Sequence, residues 1–414
     1  MIEFFTDPVL RAPTLGSMLM CLASSLVGVI VFLRKRSLIG ETLSHAAYPG
    51  VVLSIGVASL LPEEIFPIAV LAGAFATSLL GLKTVDILER KFRVKSDAAL
   101  TFVLSFFFSI GILVASRFQT THSLWYKQAE MFLFGQTATM TDIHIVIYGI
   151  LAIFIIAFIV ATFRHLEATN FDRSFAETLG IRCQTIDHAS FLLLALAIVI
   201  GIRSCGVVLM AGMLIAPAAS ARLFSKRLSH HFLLAAVFGL AAGFIGNFLS
   251  IRLPQGTYVL PTGPTILLSA ALLCLLSLLF APKQGLFSRL FRRLRFHHEC
   301  QMENGLKALW KGKKVEFPFL IYFHLRFRGL LDKHKILTSE GRQRAEKIVR
   351  LHRLWEVYLV DYLGQRAEKV HRNAEELEHL LTPDLEHALT ELLHDPKLDP
   401  HHQPIPPGPP RTLL

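Results

Sequence analysis

The sequence predicts an all-α protein that consists of a polytopic membrane helical bundle and a C-terminal, mainly helical cytosolic domain. The chain is 53% hydrophobic and only 18% charged, and its apolar residues gather in long runs before about residue 281. Runs of this kind are typical of membrane spans. The shorter remainder holds 23 of the 42 Lys and Arg residues. We therefore place the boundary between the membrane and aqueous parts near residue 281.

About nine apolar segments each come close to the ~20 residues that a helix needs to cross a bilayer. Gly, Pro, Ser and Ala are frequent within them, which favours close helix packing and locally broken helices. Ordinary packing in any polytopic protein remains the alternative explanation. The predicted spans are residues 14–33, 37–58, 65–83, 97–116, 143–163, 188–203, 206–222, 232–251 and 262–281.

Basic residues concentrate on one side of the predicted bundle, near residues 34–36, 83–95, 164–182 and 222–227. Cytoplasmic loops carry an excess of Lys and Arg, so the N-terminus is expected outside and the C-terminus in the cytoplasm. No basic region of a cleaved signal precedes the first span. The five cysteines show no CxxC spacing, which argues against a disulfide framework or a zinc ribbon.

Glu41 and His45 lie four residues apart in the second predicted span, so both project from one helix face. Ionisable groups inside a bilayer are expensive and commonly mark a substrate path. A carboxylate with an imidazole suits a divalent first-row metal ion better than an organic solute. The alternative is that Glu41 sits at the membrane interface and His45 is a packing residue.

Residues 34–50 resemble the opening signature of the zinc/manganese/iron permeases of ABC importers, with Glu41 where many members have Asp. Residues 170–180, 206–221 and 260–266 resemble three further stretches, so the likeness covers about residues 10–281. The resemblance implies that Glu41 and His45 take part in metal passage. It also implies three partners, namely an ATP-binding cassette ATPase subunit, an extracytoplasmic metal-binding protein and a second permease subunit, identical or sibling.

Residues 170–180 fall in a loop that the charge pattern places in the cytoplasm. In the family this short helix docks into the ATPase, and the resemblance assigns that coupling to Phe171, Asp172, Ala176 and Gly180. No G-x-x-x-x-G-K-[ST] motif occurs in the chain. We therefore expect a non-enzymatic membrane subunit that binds no nucleotide and relies on a separate ATPase.

Residues 282–298 form a basic juxtamembrane linker, because Lys283 and four arginines occur there before the first acid, Glu299. Such a stretch favours binding to membrane lipids at the inner face, with a nucleic-acid patch as the weaker alternative. A helix is expected from Thr338 to Gly364, a second from about Val370, and a third after the N-cap and proline pair at 382–383. The Pro-rich tail, residues 396–414, should be irregular.

Metal-ligand residue types are dense on these predicted helices. His352 and Glu356 share one helix face, and a second group shares another. Two helices that present His and Glu inward can enclose metal ions, whereas the alternative is a solvated charged surface. The second group consists of His371, Glu375, Glu378 and His379.

Residues 337–345, 352–356, 370–379 and 399–406 resemble the diphtheria-toxin-repressor family of iron- and manganese-dependent regulators. The likeness covers about residues 299–406. It implies one metal site at His352, Glu356 and His371, and most of a second at Glu375, Glu378 and His379. A ligand set without thiolate leans toward Fe²⁺ or Mn²⁺. Residues 299–345 would then form the DNA-binding region, and 346–395 the metal-binding and dimerisation helices.

Departures from the family pattern limit this second resemblance. Asn304 stands where the first helix of the family supplies a ligand. The stretch between Glu303 and His352 is about twenty residues shorter than a full winged helix-turn-helix needs, so a truncated winged-helix metalloregulator is expected. DNA binding therefore follows from the resemblance and not from a recognisable motif.

The leading hypothesis is a permease that moves iron, manganese or zinc across the bacterial inner membrane, fused to a metal-dependent transcriptional repressor. Because a tethered repressor searches DNA poorly, cleavage within residues 282–300 is expected to release it to operator DNA. The alternative keeps the permease and makes the C-terminal domain a sensor that gates transport without binding DNA. A third hypothesis, an ion-coupled carrier, leaves the 170–180 loop without a role.

Overall fold

The computed structural model describes residues 3–34, 36–58, 62, 65–253, 260–366 and 383–408, and its regular elements within these ranges are helices. The chain divides into two units, Met1–Ser288 and Arg289–Leu414. The first unit contains α1 (Glu3–Thr6), α2 (Pro8–Leu33), α3 (Leu38–Ala58), α4 (Phe66–Arg90), α5 (Ser96–Thr121), α6 (Ser123–Phe134), a 3-10 turn (Thr137–Thr139), α7 (Asp142–Phe171), α8 (Arg173–Thr178), α9 (Cys183–Cys205), α10 (Val207–Phe224), α11 (Leu228–Arg252) and α12 (Thr262–Phe280).

The remaining helices belong mainly to the second unit. α13 begins at the end of the first unit and takes in most of the basic stretch predicted as a linker. These helices are α13 (Leu286–Trp310), α14 (Phe319–Phe327), α15 (Ser339–Asp361) and α16 (Pro383–Leu392).

Eight of the described helices are long and apolar enough to cross a membrane, judged by length and composition: α2, α4, α5, α7, α9, α10, α11 and α12. The remaining predicted span corresponds to α3, a 21-residue helix that contains Glu41 and His45. The predicted helical membrane bundle is thus confirmed, as eight apolar spans together with α3. α4 and α7 run past their predicted ends to Arg90 and Phe171, because a helix ends at its capping residues and not at the membrane surface.

α2 is the most enclosed of the eight apolar spans. Of its apolar window 72% is buried, against 28% for α7, and it packs on α7, α9, α10 and α11. Spans with a large exposed apolar surface are suited to face lipid, since hydrocarbon solvates apolar side chains. The bundle is therefore built around α2.

α3 packs on α4, α5 and α10 through small residues and hydroxyl groups. A Cβ added at Gly50 would lie only 2.1 Å from the carbonyl oxygen of Gly73, so the backbones of α3 and α4 touch. The Ser78 hydroxyl donates to the Leu43 carbonyl at 3.2 Å. Hydroxyl bonds of this kind join helices inside a membrane, where water cannot compete.

Gly206 separates α9 from α10 and ends the helical backbone between them, because its φ of 83° is in the left-handed region. The last carbonyls of α9 still find donors. The Gln136 backbone N–H donates to the Arg203 carbonyl at 3.1 Å, and the Thr137 hydroxyl donates to the Ser204 carbonyl at 2.8 Å. A broken helix is tolerated in a membrane protein when neighbouring groups satisfy its backbone in this way.

Two small hydrophobic cores organise the second unit around α15. The helix begins as predicted, because the Thr338 hydroxyl accepts a hydrogen bond from the Gly341 N–H at 3.0 Å. An isolated antiparallel bridge joins Leu331 to Leu337. One core holds Met302, Leu306, Ile321, Leu325, Leu331 and Ala345, and the other holds Leu354, Val357, Leu389 and Ile405.

Candidate functional site

Glu41 and His45 lie on adjacent turns near the start of α3, as the spacing predicts. His45 is buried, with 8% of its surface exposed, whereas Glu41 is only partly buried. No hydrogen bond or ion pair joins the two side chains in the part of the chain that the structure describes. The carboxylate thus borders the more open end of α3 and the imidazole lies deeper in the bundle.

The imidazole of His45 has an apolar neighbour and a nitrogen that is available as a ligand. Its ring meets Phe108 of α5 edge to face, with 4.5 Å between the ring centroids. Its Nδ1 atom is buried and has no hydrogen-bond partner among the described residues. Buried polar atoms are nearly always partnered in native proteins, and this nitrogen is therefore a position where a metal ion or a water molecule could bind.

The predicted coupling segment forms the short helix α8. The Asp172 carboxylate caps this helix by accepting from the Phe175 N–H at 3.1 Å, and Gly180 leaves it with a φ of 77°. Ala176 is fully buried, whereas Phe171 is 92% exposed. Large apolar side chains that point away from the protein mark surfaces for a partner.

Three charged side chains tie α8 to the neighbouring helices. Arg173 of α8 donates to the Asp187 carboxylate of α9 at 3.0 Å, and Arg34, which follows α2, also pairs with Asp187. The side chains of Arg34 and Asp187 are only 11% and 19% exposed. These pairs line a cavity of about 500 Å³ that α4 and α7 also border.

Asp187 is a residue that the sequence analysis missed. Its sequence signal was available, because it is the one acid between Arg182 and the sixth predicted span on a side otherwise rich in Lys and Arg. The pairs connect α8 to α2 and α9, so movement of α8 has a direct route into the bundle.

The second candidate site lies on α15, where His352 and Glu356 are both buried. The His352 Nε2 and Glu356 Oε1 atoms are 3.2 Å apart. A buried carboxylate beside an imidazole has the donor chemistry of a Mn²⁺ or Fe²⁺ site. The other predicted ligands, His371, Glu375, Glu378 and His379, lie outside the described residues, and Asn304 is exposed on α13.

Two residues after α16 come close to Glu356, and the sequence analysis assigned neither of them to a site. One ligand atom from each of Glu356, Asp399 and His401 lies within 4.8 Å of the others. The Glu356 Oε2 and His401 Nδ1 atoms are 3.9 Å apart. The Asp-Pro-His sequence of residues 399–401 is the only local signal that points to these two residues, because their approach to α15 is a tertiary contact.

A helical membrane bundle with the short helix α8, and a second unit of helices with a buried His and Glu pair, are the features expected of a membrane permease with a metalloregulator-like domain. Residues 6–281 match the ABC 3 transport family, and the chain belongs to this family. Residues 338–407 match the iron dependent repressor, metal binding and dimerisation domain. Both resemblances predicted from the sequence are thereby confirmed.

Relatives of this chain include proteins of its full length and others that match mainly the membrane unit. A probable metal transport system membrane protein of Chlamydia trachomatis is 34% identical over 97% of both chains. The manganese transport system membrane protein MntC of Bacillus subtilis is 36% identical, covering 72% of this chain and 66% of the relative. The solved structure of PsaBC from Streptococcus pneumoniae in complex with Fab has a TM-score of 0.59 and 27% identity, covering 68% of this chain and 95% of that chain.

Proposed function

We propose that the chain moves a divalent transition metal, namely iron, manganese or zinc, inward across the bacterial inner membrane, and that the ion passes Glu41 and His45. The observation that carries the proposal is the buried imidazole of His45 with its available Nδ1, one turn from a carboxylate in a bundle of the ABC 3 family. The name of the MntC relative specifies manganese transport and that of a TroC relative from Treponema pallidum specifies zinc transport, which supports a divalent transition metal as the cargo.

Energy for transport comes in this proposal from a separate ATPase subunit that docks on α8. Phe171, Phe175 and Leu179 expose 92%, 58% and 61% of their surfaces there, which suits an apolar contact. The Arg173, Asp187 and Arg34 pairs then carry the ATPase movement to α2 and α9. A second permease subunit and an extracytoplasmic metal-binding protein complete the importer.

The basic loops support an orientation with the N-terminus outside and α8 in the cytoplasm. The second unit is then cytoplasmic, and α13 leads into it with Arg289, Arg292, Arg293 and Arg295 beside exposed Leu290 and Phe291. An amphipathic basic helix of this kind binds anionic lipid at the inner face.

A transport assay tests the main proposal. The full-length chain is reconstituted in vesicles with its ATPase subunit, and uptake of radioactive Mn²⁺ is measured with and without ATP. ATP-dependent uptake that falls sharply in the His45→Ala variant is the expected result. Uptake that continues unchanged in the His45→Ala variant, or that needs no ATPase subunit, would contradict the proposal.

For the second unit we propose a metal-dependent transcriptional repressor, with the domain match over residues 338–407 as its main support. Basic residues near α14, among them Arg326, Arg328 and Lys333, suit the phosphate backbone of operator DNA. Release by cleavage within residues 282–300 would give the repressor access to the chromosome.

The alternative, a sensor that gates transport without DNA, draws support from the surface of α14. Phe319, Phe323 and Phe327 are 79%, 60% and 81% exposed and stack at 6.4 and 6.5 Å between ring centroids. Helices that enter the major groove read bases with polar side chains, which this aromatic face lacks. An electrophoretic mobility-shift assay of the full-length protein with operator DNA distinguishes the two functions. A shift that requires Mn²⁺ and is lost with chelator supports the repressor, and no shift in either condition supports the sensor.

A further inference from the structure

We propose that residues 395–408, here called the C-terminal segment, supply His401 and Asp399 to a divalent-metal site centred on Glu356. Metal binding at this site would fasten the segment to α15. The inference rests on the proposed metal-sensing function of the second unit, and it adds ligands that the predicted set of His352, Glu356 and His371 does not contain.

The distances fit one shared ion. One donor atom from each of Glu356, Asp399 and His401 lies within 4.8 Å of the other two. Ligands on a single ion, with metal–ligand bonds of about 2.0–2.3 Å, are separated by up to roughly 4.5 Å. Small side-chain rotations therefore bring the three groups onto one ion without movement of the backbone.

Glu356 is the natural centre of this site. Its carboxylate is fully buried, with Oε1 3.2 Å from His352 Nε2 and Oε2 3.9 Å from His401 Nδ1. A buried carboxylate is costly unless it is paired or bound to a metal. The side chain of His401 is 37% exposed, so it opens the site to solvent and provides a route for an ion to enter.

Asp399 holds the loop that presents His401. Its Oδ1 accepts hydrogen bonds from the backbone N–H groups of His401 and Gln403, both at 2.8 Å. Its Oδ2 lies 3.3 Å from Nε of Arg353 on α15, and Arg353 also donates to the Pro404 carbonyl. The loop is therefore positioned against α15 before any ion arrives, which lowers the entropic cost of closing the site.

The chemistry of the donor set defines the class of ligand. Two carboxylates and one imidazole, with the second imidazole of His352 3.2 Å from Glu356 and no thiolate among the described groups, suit Mn²⁺ or Fe²⁺ and not a thiophilic metal.

The test compares two neighbouring histidines in the full-length protein purified in detergent. His401→Ala removes the proposed ligand, and His402→Ala is the matched control, because His402 is exposed and lies next in the chain. Bound Mn²⁺ is counted by electron paramagnetic resonance during a titration. We expect His401→Ala to weaken the site by at least about 10-fold, with loss of one imidazole nitrogen coupling to Mn²⁺, while His402→Ala matches the wild type.

Equal Mn²⁺ affinity in the two histidine variants would overturn the proposal. Glu356→Gln then shows which idea has failed. If Glu356→Gln also binds like the wild type, the metal-sensing function of the unit is wrong as well. If Glu356→Gln loses the site and His401→Ala keeps it, the sensor stands and only the contribution of the C-terminal segment is wrong. Glu41 and His45 are unchanged in all of these variants, so any Mn²⁺ that they bind contributes equally to every titration.

Discussion

Two helices of this protein carry a carboxylate and an imidazole four residues apart, and their surroundings differ. On α3, Glu41 is partly buried, and His45 packs against Phe108 without a bond to Glu41 among the described residues. On α15, His352 and Glu356 are both buried and lie 3.2 Å apart. Glu41 and His45 are called the open pair below, because their side chains are not bonded to each other in the described ranges. His352 and Glu356 are called the closed pair, because both are buried and lie within contact distance.

The difference teaches that helical spacing alone does not specify what a metal-binding pair does. A transport path must accept an ion and release it again, so weak and separated ligands suit it. A sensor must keep its ion long enough to change a structure, so converging ligands that are held by other groups suit it. Arg353 and Asp399 provide that support on α15.

The open pair gives the largest expected effect. His45→Ala combined with Glu41→Gln should reduce metal uptake by about 10–100-fold, because the ion loses both of its ligands on α3. The measurement is the rate of ATP-dependent Mn²⁺ uptake in vesicles, per mole of permease.

His231→Ala is the control for that variant. His231 is another buried histidine of the bundle whose Nδ1 lacks a partner among the described residues, but its Nε2 donates to the Ala218 carbonyl at 2.8 Å and it lies on α11, whose sequence contains no carboxylate. The His231→Ala substitution should lower the yield of folded protein and leave the rate of Mn²⁺ uptake per mole of permease unchanged. If both histidine variants lost uptake equally, His45 would be a packing residue and the comparison of the two pairs would fail.

The closed pair can be broken with Glu356→Gln. Saturating Mn²⁺ should stabilise the second unit of the wild type by about 2.7 kcal/mol at a hundred times the dissociation constant. The variant should lose most of this stabilisation, because a neutral amide is a poor ligand. Thermal unfolding with Mn²⁺ and with chelator measures the difference.

Glu346→Gln is the matched control on the same helix, because the ion pair of Glu346 among the described residues is a surface pair with Arg342 at 3.3 Å. Its metal stabilisation should equal that of the wild type. A full Mn²⁺ response in Glu356→Gln would show that α15 does not hold the ion.

In the proposed mechanism, release of the ion from Glu41 and His45 depends on movement of the bundle, and Asp187→Asn tests that dependence. The substitution removes the carboxylate that Arg34 and Arg173 share. Hydrogen bonds to charged groups are worth about 1.5–3 kcal/mol, so uptake per ATP hydrolysed should fall roughly 10-fold.

Glu177→Gln breaks an exposed pair with Arg173 at 3.3 Å, with both side chains more than half exposed. Surface pairs contribute only about 0–1 kcal/mol, so this variant should couple normally. Equal coupling in the Asp187 and Glu177 variants would remove the proposed route from α8 to α2.

The smallest effect concerns the C-terminal segment next to the closed pair. Hydrogen bonds from Lys397 and Arg350 lower the pKa of the Asp395 carboxyl. A lowered pKa stabilises the fold above the unfolded value of about 3.9, and the stabilisation disappears as the pH falls through the lower folded value.

Asp395→Asn should therefore cost at most about 1 kcal/mol of unfolding free energy at pH 7, since Asp395 is half exposed. The difference from the wild type should vanish in acid. Urea titrations of the two proteins at pH 7 and at low pH measure it, and a difference that persists in acid would exclude an electrostatic cause.

Local features of both regions were predictable from the sequence. The apolar runs located the spans, and Thr338 marked the start of α15, because capping residues and helical periodicity act over a few neighbouring residues. The resemblance predicts that residues 170–180 are a coupling segment, and the structure shows that Asp172 caps a short helix there. The predicted ligands between His371 and His379 lie outside the described residues and stay predictions.

The amino-acid sequence by itself determined the membrane bundle, the aqueous second unit and the two carboxylate and imidazole pairs, because these depend on composition and short-range spacing. Only the tertiary structure decided that Arg34 and Arg173 meet at Asp187, and that His401 and Asp399 reach Glu356. Those contacts join residues far apart in the chain. Helix packing and loop closure bring them together, and no local pattern encodes either.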